Sequence, residues 1–495
     1  MDIKLKISQK KEFMFKTFTF LSLAALAFLF SLQCSSHIWK NNAASTDSAV
    51  FQYIARMILD GKMPYRDVFD HKGPLIYLFN TAGLFISKQI GLWIVELITL
   101  FISFAVMYKI SRLKCGRLVS FGILLLSCAP LFQYFQEGNL TEEFALPFIS
   151  ASIYIFADYF LNERISKLRL LCCGFSFGAV CMLRVNMIPV WLVMCIGVLI
   201  SSIRKRQIKN IFGFLAFFVT GFLLITLPIL IWLAVHDSLE LFFDNYIVFN
   251  KQYSSFDSPL AALAFRGSVF LNFLNETVTI LALALLIFHT IKIKSFFDIL
   301  YIVYFLVNIV FLSLSGLSFP HYGMIIIPSL VYPFASFCSR YKIKMKSPKT
   351  GLSFVFIYVI LTLTVPDWLT TASTALRDLG GQESAQMDEN VLQVAKFVTD
   401  HSSPEDEILV CGNWNIIYNV SERFACTKYA YQSPPLSIDE KRAEEYYEEI
   451  SQNLPKVIVL SDGCFGYKEI RAFIKKNHYT KVGKNKPGNT TVYAR

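Results

Sequence analysis

The sequence predicts an all-α polytopic membrane domain of about eleven transmembrane helices, followed by a small C-terminal α/β extracytoplasmic domain. Three observations predict it. Of the 495 residues, 54% are hydrophobic and only 17% are charged, whereas a soluble globular chain is about 25% charged. The apolar residues gather in long runs, and mean hydropathy is +0.48. The last part of the chain turns charged and alternates strand-like with helix-like patterns. The same composition excludes a disordered chain, a collagen and a small disulfide scaffold.

The first apolar run, 18–38, stands behind Lys10, Lys11 and Lys16. It is longer than the core of a cleaved signal peptide, and Ser31-Leu32-Gln33-Cys34 is a poor lipoprotein cleavage site. A retained helix with a cytoplasmic N-terminus is therefore expected. Further runs cover 91–111, 117–134, 143–161, 168–184, 187–203, 210–235, 268–291, 297–315, 322–339 and 350–366. The net charge of +11 raises nucleic acid as a partner only until its placement is read. Basic clusters at 109–117, 164–169, 204–209, 292–294 and 340–349 sit in short loops between runs. Threaded from an inside N-terminus they all fall on the cytoplasmic side, as the positive-inside rule requires. Nucleic acid is set aside, and the lipid bilayer is the expected environment.

The run Pro74–Ile86 is too short to cross. It reads as an interfacial or re-entrant helix within a long external loop, 39–90. The membrane domain then covers 1–366. Residues 367–495 form the α/β domain, with strand-like runs at 407–411 and 456–460 and a helical segment at 467–476. An odd number of spans puts this domain outside a cytoplasmic (inner) membrane. Most of the eleven cysteines lie in apolar runs, where a thiol behaves as a small hydrophobe. No CxxC or Cys/His spacing points to zinc, so no metal ligand is assigned. No cofactor is called for, and a divalent-metal requirement stays open.

Ionisable residues near apolar spans carry the information in such a chain. The first group follows helix one: Asp47, an amphipathic stretch to Gly61, then Tyr65-Arg66-Asp67-Val68-Phe69-Asp70-His71-Lys72. Ala49, Val50, Tyr53, Ile54, Met57 and Ile58 follow helical spacing, so this stretch suits a membrane surface. Asp47, just ahead of it, reads as an N-cap, a role compatible with that of a base. The second group is Glu142 and Glu143, after Thr141 as a cap. The third is Arg184, which needs either an anion or a route to the headgroups. The fourth is His321 with Tyr322, read either as donors to a ligand or as members of an aromatic belt. Acids and cations at one membrane face point to a ligand with a lipid tail, a phosphate and a sugar. Cations hold the phosphate, and an acid takes the proton of an attacking hydroxyl.

These residues resemble the GT-C superfamily of polyprenyl-phosphate-sugar glycosyltransferases, which includes protein O-mannosyltransferases and lipid A aminoarabinose transferases. The resemblance rests on Asp47-Ser48-Ala49, on Gly61-Lys62-Met63-Pro64-Tyr65-Arg66-Asp67-Val68-Phe69-Asp70-His71-Lys72-Gly73-Pro74-Leu75-Ile76-Tyr77, on Glu142-Glu143 and on His321-Tyr322. It implies a GT-C-like membrane domain. Asp47 then stands at the catalytic aspartate, Lys72 where a lysine meets the donor phosphate, and Glu142 or Glu143 at the second acid. Tyr65, Arg66, Asp70 and His71 belong to the same substrate-binding block, and Arg184, His321 and Tyr322 join them by position and charge. The lipid A enzymes carry Lys-Pro-Pro where this chain has Lys72-Gly73-Pro74.

The expected activity is inverting transfer of a sugar from a polyprenyl-phosphate donor to an acceptor on the external face. That acceptor is an envelope glycan, a lipid or a protein. A transporter or flippase of lipid-linked sugar is the rival, though it would want midplane charges and a topological repeat. A noncatalytic scaffold that binds lipid-linked sugar is the other.

Overall fold

The computed structural model describes residues 2–37, 46–344, 351–379, 389–485 and 489–495. The first part of the external loop, 38–45, and the end of the last basic cluster, 345–349, lie outside the described residues. Each of the eleven apolar runs is mainly helical over its described residues. Eight helices among the described residues are long and apolar enough to cross a membrane: Glu12–Ser31, Gly91–Arg112, Arg117–Tyr134, Thr141–Asn162, Asn210–Val235, Phe296–Ser313, Pro320–Arg340 and Gly351–Arg377. The chain is a multi-pass membrane protein by this criterion.

The remaining three runs differ from the sequence expectation for local reasons. The run 268–291 lies across two helices, Pro259–Leu274 and Thr277–Ile293, bent by 81°. At the break the Glu276 side chain accepts from Val278 N at 2.9 Å and Thr279 N at 2.7 Å, so a new helix starts there. The other two are the 15-residue helix Lys167–Cys181 and the 16-residue helix Pro189–Arg204. Pro189 sets the start of the latter, because its ring is preorganised for a first helical position.

The chain divides into two compact units. One comprises Met1–Cys34, Trp93–Thr226 and Ser258–Leu376 and is built from the apolar helices. Close helix crossing in it depends on small residues. A Cβ on Gly174 would land on the Phe218 carbonyl oxygen, and one on Gly221 on that of Leu171. Two of its buried aromatic side chains keep their polar tips bonded: Trp191 Nε1 donates to Cys173 O at 3.1 Å and Tyr301 Oη to Ser329 O at 3.0 Å.

The other unit comprises Ser35–Leu92, Leu227–Asp257 and Arg377–Arg495. Its core is a five-stranded sheet of β1 (Glu407–Cys411), β2 (Phe424–Ala425), β3 (Val457–Ser461), β4 (Thr480–Asn485) and β5 (Thr490–Ala494). The order is β2-β1-β3-β5-β4. β1 runs parallel to β2 and β3, while β5 is antiparallel to β3 and β4. The parallel strands are continuous apolar runs (Ile408-Leu409-Val410 and Val457-Ile458-Val459-Leu460), as strands covered on both faces require. The helix at Tyr467–Lys476 lies where the pattern predicts it.

The loop after the first span belongs to this unit. Its helix Thr46–Leu59 turns an apolar face inward, with Ala49, Val50, Tyr53, Ile54 and Met57 buried. That face, which the sequence assigned to the membrane surface, packs in protein. The backbone N–H of Ala425 donates to Tyr53 Oη at 2.9 Å, Asn419 Nδ2 to Ala49 O at 2.8 Å, and Arg56 Nη1 to Tyr418 O at 2.7 Å. Amphipathic spacing reports a buried face, and lipid and a sheet domain serve it equally.

Candidate active site

The predicted site residues fall into two groups, one in each unit. In the sheet-containing unit the block around Asp70 folds into a tight polar knot. Tyr65 adopts a left-handed φ of 69°, and its N–H donates to Val68 O at 2.8 Å. This turn reverses the chain, so Tyr65 Oη donates to Lys72 O at 2.8 Å. Gly73 and Pro74 then launch the helix Pro74–Ile86.

Asp70 is the centre of the knot, 3% exposed. Its Oδ1 accepts from Tyr431 Oη and from the His71 N–H, both at 2.7 Å, and its Oδ2 from Tyr77 Oη at 2.8 Å. Burial pushes its carboxyl above the ordinary range, while the Lys72 charge and these three bonds pull the other way. His71 Nδ1 stands 3.1 Å from Tyr431 Oη, and Lys72 Nζ stands 3.2 Å from His71 Nε2. Asn250 Nδ2 donates to the His71 carbonyl at 2.7 Å.

Asp47 lies in the first turn of Thr46–Leu59, inside the helix and not ahead of it as the sequence reading had it. It is half-buried and acts on Tyr431. The Tyr431 hydroxyl is held far above its ordinary range by burial first, then by the charges of Asp70 and Asp47. Asp47, Asp70, His71 and Lys72 therefore share one neighbourhood around Tyr431. Arg66 takes no part in the knot. It is exposed, pairs with Asp67 through Nε at 2.9 Å and Nη2 at 2.8 Å, and donates from Nη1 to His236 O at 2.9 Å.

In the helical unit, Glu142 and Glu143 part company. Glu142 pairs with Arg184, whose guanidinium also lies over the Tyr322 ring at 4.1 Å. Arg184 thus takes its anion from the chain itself, and its side chain is only 16% exposed. Glu143 is fully buried and accepts from Asn139 N at 2.8 Å. Thr141 is not the cap the sequence suggested: Leu140 holds that position without a side-chain bond, and Thr141 Oγ1 donates to Glu142 Oε2 at 2.8 Å. His321 Nδ1 faces Gln136 Oε1 at 2.7 Å, and its ring lies edge-on to Tyr322 with centroids 4.7 Å apart.

Sequence reasoning missed Tyr431, Asn250 and Glu96 as site residues and did not give Tyr77 a role. Glu96 carried a legible signal, an acid in an apolar run. Tyr431 and Asn250 carried none.

The fold is shared with solved structures of low sequence identity. ArnT from Cupriavidus metallidurans bound to undecaprenyl phosphate aligns at a TM-score of 0.62 and 12% identity, covering 96% of this chain and 97% of that one. Its apo state aligns at 0.60 and 12% identity, covering 97% and 98%. The archaeal oligosaccharyltransferase AglB from Archaeoglobus fulgidus, in complex with an inhibitory peptide and a dolichol-phosphate, aligns at 0.50 and 11% identity, covering 90% and 69%. At these identities the likeness is one of fold. It is the GT-C fold that the motifs implied, with a small C-terminal sheet domain. No curated protein matches the sequence. The family described as "Putative competence-induced protein Ccs4 N-terminal domain" matches residues 4–350, about 70% of the length, and this chain belongs to it.

Proposed function

We propose that this chain is an integral-membrane glycosyltransferase that moves a sugar from a polyprenyl-phosphate donor to an acceptor on the external face. The observation that carries the reading is the alignment of 96% of the chain with an ArnT structure that holds undecaprenyl phosphate. The neighbourhood of Asp47, Asp70, His71 and Lys72 supports it with the residue types such a transfer needs.

In this reading Asp47, half-buried and reachable from solvent, accepts the proton of the acceptor hydroxyl as its oxygen attacks the anomeric carbon. Lys72 offsets the charge that grows on the departing phosphate. The phosphate leaves as a stable anion, so it needs less acid assistance than the leaving group of an ordinary glycoside. His71 and Asp70 are positioning residues, which hold the Lys72 ammonium through His71 Nε2. The displacement is single and inverts the anomeric centre. The protein sits in a cytoplasmic (inner) membrane with its N-terminus inside and the sheet domain outside, and the acceptor is a glycan, lipid or protein of the envelope.

The test is incubation of membranes holding the full chain with radiolabelled polyprenyl-phosphate sugars, following which product takes up label. Asp47→Asn is expected to keep donor binding and lose roughly 100-fold or more of the transfer rate. Transfer by that variant at the parent's rate overturns the base; absence of label in any product overturns the activity.

A further inference from the structure

Three helix ends of the helical unit bring a thiol and two carboxyls together. Cys34 follows the helix that ends at Ser31, Glu96 lies in the second turn of Gly91–Arg112, and Glu143 in the first turn of Thr141–Asn162. One ligand atom from each lies within 4.8 Å of the other two. All three residues are 0% exposed. Both carboxyls accept from one backbone donor: Asn139 N is 2.6 Å from Glu96 Oε1 and 2.8 Å from Glu143 Oε2. The other oxygen of Glu143, Oε1, is enclosed and meets no hydrogen-bond partner.

Two ionised carboxyls enclosed side by side repel strongly, because little solvent is there to screen them. A proton or a metal cation between them removes the repulsion. The thiol favours the cation. Cysteine and carboxylate are both zinc ligands, at about 2.3 Å and 2.0–2.2 Å, and three ligand atoms of the right kind already stand together here. Those bond lengths set the ligand atoms of a tetrahedral ion roughly 3–4 Å apart, inside the 4.8 Å within which these three atoms lie.

The loop over the cluster is shaped around it. Gln136, Glu137, Gly138 and Asn139 all have left-handed backbones, with φ of 43°, 72°, 75° and 51°, a costly run for L-residues. A Cβ on Gly138 would lie 2.5 Å from Glu96 Oε1 and 3.2 Å from Cys34 Sγ. Glycine alone lets this backbone lie against the ligand atoms.

We propose that Cys34, Glu96 and Glu143 bind one divalent cation of the zinc class, which pins the 136–139 loop. The loop holds His321 through Gln136 and leads into the helix that carries Glu142, so the ion positions both. It touches no reacting atom.

The test loads the purified full chain with cobalt(II) alone. The expected result is about one cobalt per chain, with thiolate-to-cobalt charge-transfer absorption in the near ultraviolet. Cys34→Ser should abolish that absorption, and Glu143→Gln should weaken cobalt binding at least about 100-fold, with both variants eluting as the parent does. A parent chain that takes up no cobalt overturns the site and leaves a shared proton in its place. Absorption that survives Cys34→Ser overturns it equally. Should neither variant fold, the presence or absence of the parent's absorption decides alone.

Discussion

The ammonium of Lys72 donates to Nε2 of His71 across 3.2 Å, and this bond determines where the imidazole keeps its proton. A lysine ammonium has donors only, so Nε2 must be the accepting nitrogen and Nδ1 carries the hydrogen. Nδ1 faces Tyr431 Oη at 3.1 Å and Asp70 Oδ1 at 3.4 Å. Tyr431 Oη in turn donates to Asp70 Oδ1 at 2.7 Å. Cation, neutral ring, phenol and carboxyl thus form one ordered chain of donors and acceptors, and a group removed from its middle disturbs the lysine at its end.

Tyr431→Phe removes that middle group with almost no change of shape. Asp70 Oδ1 keeps the His71 backbone N–H at 2.7 Å and the more distant Nδ1 at 3.4 Å, and the ring of His71 loses a neighbour. Thermal melting of the full chain should show a loss of about 1–3 kcal/mol. Under the proposed activity, kcat should fall by roughly tenfold with little change in KM for the donor. A variant with parental stability and parental kcat removes Tyr431 from the network.

Asp67 provides a pH signature. Burial raises its carboxyl, but the Arg66 hydrogen bond, the Met63 N–H and the charges of Arg66 and Lys62 together hold it below the ordinary range. An acid held low in the folded state stabilises above its unfolded value and loses that stabilisation as pH falls through the folded value. Asp67→Asn should therefore cost about 0.5–1 kcal/mol near neutral pH, a small figure because the pair is partly exposed. The gap between variant and parent should close on acidification below the carboxylate range. Melting curves of both across that range check it, and a pH-independent gap contradicts the assignment.

Arg442 ties three segments of the sheet-containing unit. It donates to Asp439 Oδ2 at 3.1 Å, Asn245 Oδ1 at 2.8 Å and Asp244 Oδ2 at 2.6 Å. Its guanidinium carbon lies 4.8 Å from the Phe69 ring centroid and 5.3 Å from that of Phe249. Arg442→Ala should destabilise the unit by about 3–5 kcal/mol. Arg442→Lys should recover little, since a point charge cannot serve three oxygens and two ring faces at once. Full recovery by lysine in a denaturant or protease titration would show that charge alone matters.

Glu142 and Arg184 lend themselves to a double-mutant cycle. Glu142→Gln or Arg184→Met alone leaves an unpaired buried charge and should cost about 3–5 kcal/mol. The double variant should cost less than the sum of the two, with a coupling of at least about 1 kcal/mol. Additive single effects would mean that the pair carries no net interaction.

The helix Pro74–Ile86, the two parallel strands Glu407–Cys411 and Val457–Ser461 and the helix Tyr467–Lys476 were legible because each is a local pattern bounded by its own stop signals, whereas the other three strands of the sheet carried no such pattern. The two acids at 142 and 143 were not separable by sequence. Neighbours on a helix point about 100° apart, and which direction meets Arg184 and which meets Glu96 is a matter of packing. Thr141 reads as a cap by residue type, yet it lies one position inside the helix. Tyr431 was out of reach altogether, since its bond to Asp70 spans 361 positions and nothing near it in sequence reports that partner. The break inside 268–291 had a signal in Asn275 and Glu276, polar residues in an apolar run, but hydropathy averaged over a window smooths such a pair away.

The docking of the Thr46–Leu59 helix on Tyr418, Asn419 and Ala425 has a consequence for how the protein comes into being. The ribosome makes the helix bearing Asp47 well before the surface that holds it: Ala49 and its partner Asn419 are 370 positions apart, and Tyr53 and its partner Ala425 are 372 apart. Domains assemble in the order of their synthesis, and contacts this distant along the backbone form late. A nascent chain can insert its earlier membrane helices long before the segment bearing Asp47 settles, because that segment takes its place only once residues 418–425 have been made.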